Sequence, residues 1–284
     1  MKDFIRHREY SEAVATFKQV QERNQFLYGA VLSACAKGLL LEDALELWGE
    51  MPVDYRTNVT YSAMLDLCRR RKKVRMAESL MHEMVQDAIM PNIITYRTMM
   101  GVYSFVGEPT KAMDIFTKVK ETLFAEANEV SKQMTYLVVM SAFAREGDYK
   151  TVKELFEEMT SSGISPDHTH FNSLLTSCVK HGHMDIAEAI IELMPKWGLM
   201  PRAEDFTALI QTCRFDLPRC KAAYNKMQAA GIDPSFITFV SVIDACLTAG
   251  DHESAKLLVE DAEKSVRCDE NVLRKLKQRV QRHV

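Results

Sequence analysis

Residues 152–178 read VKELFEEMTSSGISPDHTHFNSLLTSC, and this stretch decides the fold. Its first apolar residues follow helical spacing, at Val152, Leu155, Phe156 and Met159. Gly163 and Pro166 then interrupt the pattern, because glycine readily adopts a left-handed backbone and proline cannot continue a helical hydrogen-bond ladder. A second helical pattern begins near Phe171. The stretch therefore predicts two helices joined by a short turn.

The same pattern recurs along the chain at intervals of 33 to 40 residues. An aromatic side chain marks each recurrence, namely Tyr28, Tyr61, Tyr96, Tyr136, Phe171, Phe206 and Phe239. Counting position 1 three residues before this aromatic gives seven repeats, at 25–57, 58–92, 93–132, 133–167, 168–202, 203–235 and 236–270. We expect residues 1–24 to form a partial repeat with its second helix only, and residues 271–284 to form a basic capping helix.

Neither helix of such a pair can bury its apolar face alone, so neighbouring pairs must stack. The sequence therefore predicts an all-α fold, an α-solenoid in which helix-turn-helix repeats form a right-handed superhelix with a concave face.

Cysteine placement follows the same register. Five of the seven cysteines fall at position 11, namely Cys35, Cys68, Cys178, Cys213 and Cys246. A recurring apolar position favours reduced thiols that pack in the core over a disulfide framework.

Composition and charge narrow the function classes. The formal net charge of −3 is not that of a strongly basic nucleic-acid protein, so RNA binding would depend on local patches. No apolar run approaches the roughly 18 residues of a membrane-spanning helix, so no membrane partner is expected. The first residues contain no apolar signal core and no readable transit peptide.

Three short motifs carry a resemblance to a known family. The first helices contain sequences such as Val59-Thr60-Tyr61-Ser62-Ala63-Met64-Leu65, and the second helices contain sequences such as Glu154-Leu155-Phe156-Glu157-Glu158-Met159. With the stop Gly163-Ile164-Ser165-Pro166-Asp167, these motifs resemble the pentatricopeptide repeat over nearly the whole chain. Tetratricopeptide repeats share the A-x3-F element at Ala112 to Phe116, but no repeat here has their W-x2-L-G-x2-Y element.

The resemblance implies that each repeat reads one RNA base through positions 5 and 35, while an apolar residue at position 2 clamps the base. The matching base-reading candidates are Ser62, Asn92, Asn172, Arg202, Thr207 and Ser235. The clamp candidates are Val59, Ile94 and Ile237. Ser62 with Asn92 is the pair that the family uses for adenine. The other four repeats depart from the scheme, with Gly29, Arg97, Leu137 and Val240 at position 5.

Basic residues gather where the first helices end. Position 13 is a cation in four repeats, and a basic run follows Arg69. The resemblance makes phosphate-contact candidates of Lys37, Arg69, Arg70, Lys72, Lys73, Arg145 and Lys180. The alternative is that a cation at a helix C-terminus only complements the helix dipole, or that the basic run is a solvated turn.

We find no catalytic or metal-binding motif. The P-C-x-x-C element that zinc deaminases need beside H-x-E is absent, as is H-E-x-x-H. The densest group of metal-ligand types, His168, His170, His181 and His183 with Cys178, is better explained by packing and turn positions than by zinc. We therefore expect no enzyme, no cofactor, no metal and no small-molecule substrate.

The expected function is that of a non-enzymatic protein that binds single-stranded organellar RNA and supports its processing, stability or translation. Two alternatives stay open: a structural subunit of a larger organellar ribonucleoprotein such as a ribosome, and a protein-binding helical scaffold. Partner proteins of a ribonucleoprotein complex fit the first alternative. The resemblance points to the mitochondrion or the plastid, and the sequence leaves the cytoplasm open.

Overall fold

A computed structural model of the chain describes residues 9–265, 274 and 277–280. Its α-helices are α1 Tyr10–Lys18, α2 Gln25–Gly38, α3 Leu41–Glu50, α4 Asn58–Arg71, α5 Val74–Gln86, α6 Ile93–Val106, α7 Pro109–Thr122, α8 Glu129–Glu146, α9 Tyr149–Ser161, α10 His168–Val179, α11 Met184–Leu193, α12 Ala203–Thr212, α13 Leu217–Ala229, α14 Phe236–Thr248 and α15 His252–Ser265. Short 3-10 helices span Val53–Tyr55 and Met194–Trp197. The described residues contain no strand.

The chain divides into two compact units, residues 1–142 and residues 143–284. In the first unit the first helices of successive hairpins pack on one another, α2 on α4 and α4 on α6. In the second unit α10 packs on α12, and α12 packs on α14. The predicted all-α solenoid of stacked hairpins is confirmed. No helix in the described ranges is long and apolar enough to cross a membrane.

The turns inside most hairpins contain a left-handed residue, although the turn at 213–216 does not. Gly147 has φ +78°, and a Cβ built on it would lie 2.7 Å from the Cβ of Lys180, so only glycine fits. In the first and second repeats the equivalent turn residues are Leu39 and Lys72, which adopt φ 59° and 56° although neither is glycine. The hairpin turn is therefore kept even where the side chain makes it strained.

The aromatic residue that defines the register packs at the junction between most successive hairpins. Tyr61 is fully buried and meets Trp48 of the preceding hairpin edge to face, with ring centroids 4.8 Å apart. Phe171 meets Phe156 in the same way at 5.2 Å. Such pairs contribute about 0.5–1.5 kcal/mol beyond the area they bury. The repeat spacing therefore records the contact that joins each hairpin to the next. Tyr96 differs, since it is only half-buried.

A polar network reinforces one of these junctions. The Tyr61 hydroxyl donates to Asp87 Oδ2 at 2.6 Å, and Arg56 Nη1 donates to the same oxygen at 3.0 Å. Arg56 also pairs with Glu83 and lies over the ring of Trp48, 4.7 Å from its centroid. The hydrogen bond from Tyr61, and then that from Arg56, lower the pKa of Asp87 below its usual value. We call Tyr61, Asp87, Arg56 and Glu83 the Asp87 network.

The cysteines lie in the core as predicted. The six that the structure describes are free and fully buried, whereas Cys268 falls outside the described residues. Burial raises the pKa of the Cys178 thiol to about 11, so the thiolate needed for oxidation or alkylation is scarce at neutral pH.

The long third repeat carries its additional residues in a packed segment. Phe124 lies between Phe116 and Tyr136, with centroid distances of 6.1 Å and 5.9 Å. The helix that follows, α8, begins at Glu129, about one turn before the predicted repeat start at residue 133. The Asn128 side chain caps this start by accepting from the Ser131 N–H at 2.8 Å.

The two predicted end segments are described only in part. Among the described residues before the first hairpin, α1 is the one helix, and residues 1–8 lie outside the described part of the chain. The capping helix predicted at 271–284 also lies largely outside them. Within it residues 277–280 are helical, Val280 is buried, and Arg279 pairs with Asp244 of α14 at 2.8 Å. The predicted repeat boundaries stay a prediction.

Candidate functional site

Three successive first helices, α2, α4 and α6, line a cleft in the first unit. Its volume is about 340 Å³. The lining residues are Ser33, Ala36, Lys37, Asn58, Val59, Ser62, Ala63, Asp66, Asn92 and Ile94. Five of the sequence-predicted site residues, Lys37, Val59, Ser62, Asn92 and Ile94, thus come together in one place. These residues are far apart in the sequence, but they occupy recurring repeat positions on adjacent hairpins and therefore meet at one cleft.

The walls of the cleft are apolar and open to solvent. Val59 and Ile94 are 65% and 48% exposed, although each lies in the first turn of a well-packed helix. Exposed aliphatic side chains that face each other across a cleft offer two flat contacts to a planar group. A nucleobase has the shape and the apolar faces that such a cleft accepts.

Asn92 has two roles in this cleft. Its Oδ1 accepts from the backbone N–H groups of Ile94 and Thr95, both at 3.0 Å, and so caps α6. The amide oxygen is assigned to this cap by the hydrogen-bond network, which leaves the NH2 group as the donor toward the cleft. Ser62 contributes a hydroxyl that can donate or accept. The cleft therefore presents two polar groups between its apolar walls.

Asp66 also lines the cleft, and the sequence analysis did not consider this carboxylate. Asp66 accepts from Arg69 Nε at 2.9 Å and from Arg70 Nε at 2.7 Å. The guanidinium of Arg69 also lies 5.0 Å from the ring centroid of Phe105 in the next repeat. Arg69 thus links two repeats, and these contacts compete with the predicted phosphate contact, which stays a prediction. The i, i+3 and i, i+4 spacing to Asp66 is the signal that could have revealed the pairing.

Three other phosphate-contact candidates of this unit are exposed at helix ends. Lys37 lies in the last turn of α2 at the cleft, and Lys72 and Lys73 form the turn after α4. None of the three has an ion pair within the part of the chain that the structure describes. Their charges are therefore available to an anionic ligand.

Arg97 occupies position 5 of the third repeat, where the second repeat has Ser62. Arg97 is half-buried, and burial lowers the pKa of its guanidinium. No acidic side chain pairs with it among the described residues. An Arg that is partly desolvated without a counter-ion destabilises the free protein, and an anionic or acceptor-rich ligand would relieve this.

The sixth repeat does not support the predicted base-reading pair. Thr207 is buried, and its hydroxyl donates to Ala203 O at 2.7 Å and contacts Thr238 Oγ1 at 2.7 Å. Thr238 Oγ1 in turn contacts Ser235 Oγ at 2.8 Å. Each hydroxyl proton is used if Ser235 donates to Thr238 and Thr238 donates to Thr207. We call these three residues the hydroxyl chain. Thr207 is thus a packing residue, and Ser235 is an N-cap that accepts from Thr238 N–H at 3.2 Å.

The fifth repeat is intermediate. Asn172 Oδ1 accepts from Thr176 Oγ1 at 3.2 Å, so part of its hydrogen-bonding capacity is used. Arg202 is exposed, and its backbone N–H donates to Asp205 at 2.8 Å. Lys180 is exposed and pairs with Glu146 at 3.4 Å, while Arg145 is exposed at the end of α8.

Two exposed residues at position 2 were missed by the sequence reasoning. Phe26 is 78% exposed in the first repeat, and Met134 is 43% exposed in the fourth. They join Val59, Ile94 and Ile237, the last being 61% exposed. The repeat register alone would have identified both residues. They were left out because the sequence analysis accepted only small aliphatic side chains at position 2.

The histidines and acids near the repeat junctions form contacts with one another. Within the described residues, no group of three or more His, Cys, Asp or Glu side chains is placed to hold a metal ion. His170 instead bonds Asp167 at 2.7 Å in the cap of α10, and His168 approaches Asp205 at 3.7 Å. These histidines serve the junctions between repeats.

Comparison with known proteins identifies similar chains. One pentatricopeptide repeat-containing protein of Arabidopsis thaliana is 23% identical over 200 residues, covering 70% of this chain and 31% of the relative. The small ribosomal subunit protein mL103 of the same plant is 27% identical over 187 residues, covering 55% of this chain and 45% of the relative. The chain spans 31% to 46% of the length of the first three curated relatives.

Solved structures give a similar result. The pentatricopeptide repeat protein PPR10 from maize aligns with a TM-score of 0.42 and 17% identity, covering 94% of this chain and 49% of that one. The PPR domain of Arabidopsis thaliana protein-only RNase P 1 aligns with a TM-score of 0.48 and 16% identity, covering 64% and 94%.

Family models match most of the repeats. The model described as the pentacotripeptide-repeat region of PRORP matches residues 106–275, which is more than half of the chain. Models of the PPR repeat family and of the PPR repeat match residues 56–104 and 26–54. This chain belongs to the pentatricopeptide repeat family.

Proposed function

We propose that this chain binds single-stranded RNA and carries out no reaction on it. The observation that carries the proposal is the cleft of α2, α4 and α6, where two exposed aliphatic walls enclose Ser62 and Asn92 beside the cation Lys37. An unpaired base fits between the walls, its edge meets the two polar groups, and its phosphate lies within reach of the lysine. A duplex would not enter, because its bases are already stacked and paired.

Backbone contact contributes more of the affinity than base reading does. A base contact of this kind contributes about 1–3 kcal/mol. The hydroxyl chain occupies the base-reading position of the sixth repeat, so few repeats can contact a base. The summed binding free energy of these base contacts falls short of the roughly 8 kcal/mol of micromolar binding. Lys37, Lys72 and Lys73 in the first unit, and Arg145 and Lys180 in the second, supply the cations that phosphates require. Binding should therefore be strongly salt-dependent and weakly sequence-selective.

The site of action proposed is a mitochondrion or plastid, where the bound RNA would be processed, protected or translated. One relative named as mitochondrial is 24% identical over 203 residues, which supports an organellar location. A fluorescent fusion of the whole protein tests this directly, and a uniform cytoplasmic signal would contradict it.

Fluorescence anisotropy with labelled 14-nucleotide RNA tests the proposed function. We expect saturable binding to single strands, little binding to the same sequence as a duplex, and an affinity that falls steeply with salt. No binding to single strands at low salt would refute the proposal.

Crosslinking in cells followed by sequencing of the bound RNA then separates a specific binder from a structural subunit. Enrichment of one short transcript region supports the proposal. Continuous coverage of ribosomal RNA would replace it with the structural role, and the absence of RNA crosslinks would favour a protein-binding scaffold.

A further inference from the structure

The turns inside the hairpins of the second unit form a continuous edge. A Cβ built on Gly147 would lie 3.0 Å from His181 Cδ2, and one built on Gly182 would lie 3.7 Å from Thr212 O. The first turn therefore lies against the second, and the second lies against the end of α12, directly before the third. We call residues 145–149, 180–183 and 213–216 the turn edge.

An aromatic ring projects from this edge into solvent. Phe215 is 79% exposed, and the guanidinium of Arg214 lies 4.7 Å from its ring centroid. The backbone holds the ring there, because Asp216 N–H donates to Cys213 O at 2.8 Å and closes a tight turn. A phenylalanine this exposed buries almost none of its surface in the free chain, so folding alone gives no reason for it.

The turn edge carries three cations and three acids, and each acid already has a partner. Arg145, Lys180 and Arg214 are exposed along the turn edge. Of the acids nearby, Glu146 pairs with Lys180, while Asp148 and Asp216 accept backbone N–H groups at the starts of α9 and α13, each at 3.1 Å. These caps direct both aspartates toward helix ends, where their charge is partly satisfied.

The same combination occurs in the first unit. Phe105 and Phe215 both occupy position 13 of their repeats, the position that holds Lys or Arg in four others. Each has an Arg over its ring, since Arg69 lies 5.0 Å from Phe105. In the first repeat the position-13 residue, Lys37, lines the cleft. An aromatic ring with a stacked guanidinium thus takes the place of a cation at a position that borders the proposed binding face.

We infer that Phe215 and Arg214 form a stacking platform for one base of single-stranded RNA, with Lys180 and Arg145 holding the adjacent phosphates. This rests on the proposed function and adds a contact outside positions 2, 5 and 35. A flat ring backed by a cation binds any base through its π-face, so the contact contributes affinity without sequence preference. A protein partner is the lesser fit, because an interface hot spot lies in a well-packed pocket among contacts that exclude water, whereas Phe215 projects singly into solvent.

Two substitutions at one residue test the platform. Phe215→Leu keeps an apolar side chain but removes the π-face, and Phe215→Trp enlarges that face. Leu257→Ala is the control, since Leu257 is 59% exposed in the same unit, on α15, and is not one of the turn-edge residues. In anisotropy titrations with labelled 14-nucleotide RNA of randomised sequence, we expect Phe215→Leu to bind about tenfold more weakly. Phe215→Trp should bind at least as tightly as the parent, and Leu257→Ala should match it.

The possible outcomes separate the two proposals. If the parent binds RNA and Phe215→Leu binds equally well, the platform is refuted and the proposed function stands. If the parent binds no RNA, the proposed function fails and the platform fails with it. An equal loss in the Leu and Trp variants would also refute stacking, because the aromatic replacement should rescue it. Photocrosslinking with 4-thiouridine RNA should label the peptide that contains Phe215, and labels confined to other peptides would overturn the inference.

Discussion

Removing the two walls of the cleft should weaken RNA binding without unfolding the protein. The variant is Val59→Ala with Ile94→Ala. Complete burial of such a side chain contributes about 1.5–3 kcal/mol. Because Val59 and Ile94 expose 65% and 48% of their surface, and alanine keeps one methyl group, each change should remove about 1 kcal/mol of binding free energy. The double variant then loses about 2 kcal/mol, or roughly thirtyfold in Kd.

Fluorescence anisotropy at two salt concentrations measures the loss of affinity and shows whether phosphate contacts contribute to it. The dependence of log Kd on log salt should keep the slope of the parent, because no phosphate contact is removed. The midpoint of thermal unfolding should change little, since both side chains are exposed in the free protein.

Val85→Ala provides the control. Val85 is 54% exposed on α5 and is not among the residues that line the cleft, so its replacement should leave Kd unchanged. Equal binding by parent and double variant would refute the clamping role of the walls. An equal loss in Val85→Ala would show that the effect is a general one of surface hydrophobicity.

Four further outcomes are expected. Lys72→Gln with Lys73→Gln should weaken binding to all RNA sequences and reduce the salt slope by about two, and an unchanged slope would place the phosphates elsewhere. Asp87→Asn should destabilise the protein by about 2 kcal/mol in urea unfolding at neutral pH, because the Asp87 network loses its shared acceptor. The folded-state pKa of Asp87 is lowered, so this stabilisation is present above the unfolded pKa and is lost as pH falls through the folded pKa; a gap that does not shrink as the pH is lowered below the unfolded pKa would contradict it. Ala187→Asp should destabilise by about 3 kcal/mol, since Ala187 is fully buried, and unchanged melting would mean that the charge escapes to solvent. Cys178 should react slowly with a thiol reagent until the protein is unfolded, and rapid native labelling would show that it is accessible.

The fold was predictable because its determinants are local and repeated. The spacing of Tyr61, Phe171 and their counterparts reports the contact between successive hairpins, and the Gly and Pro residues mark the turns. The early start of α8 was not predictable from this register. It depends on the Asn128 cap and on Phe124 packing between two rings, neither of which the repeat contains.

The candidate site was predictable where one repeat position decides the placement. Val59, Ser62, Asn92 and Ile94 meet in the cleft because the register puts them there, although their reading of a base stays a prediction. Thr207 differs, since its hydroxyl is directed by Thr238 of the next repeat. A pattern of residue types shows which side chain stands at a position, but not which neighbour already occupies its hydrogen bonds.

Asn92 illustrates a limit on how this kind of protein can evolve. The last residue of a repeat is also the first cap of the next helix, and Thr57, Asn92, Asp167 and Ser235 all accept a backbone N–H in that role. Replacing such a cap by a residue without an acceptor costs about 1 kcal/mol of stability. A mutation that alters RNA preference at this position therefore carries a stability cost unless the new side chain can also cap the helix; Arg202 occupies the position without a side-chain cap bond. Selection for a stable fold thereby restricts the set of sequences that a lineage of such proteins can come to recognise.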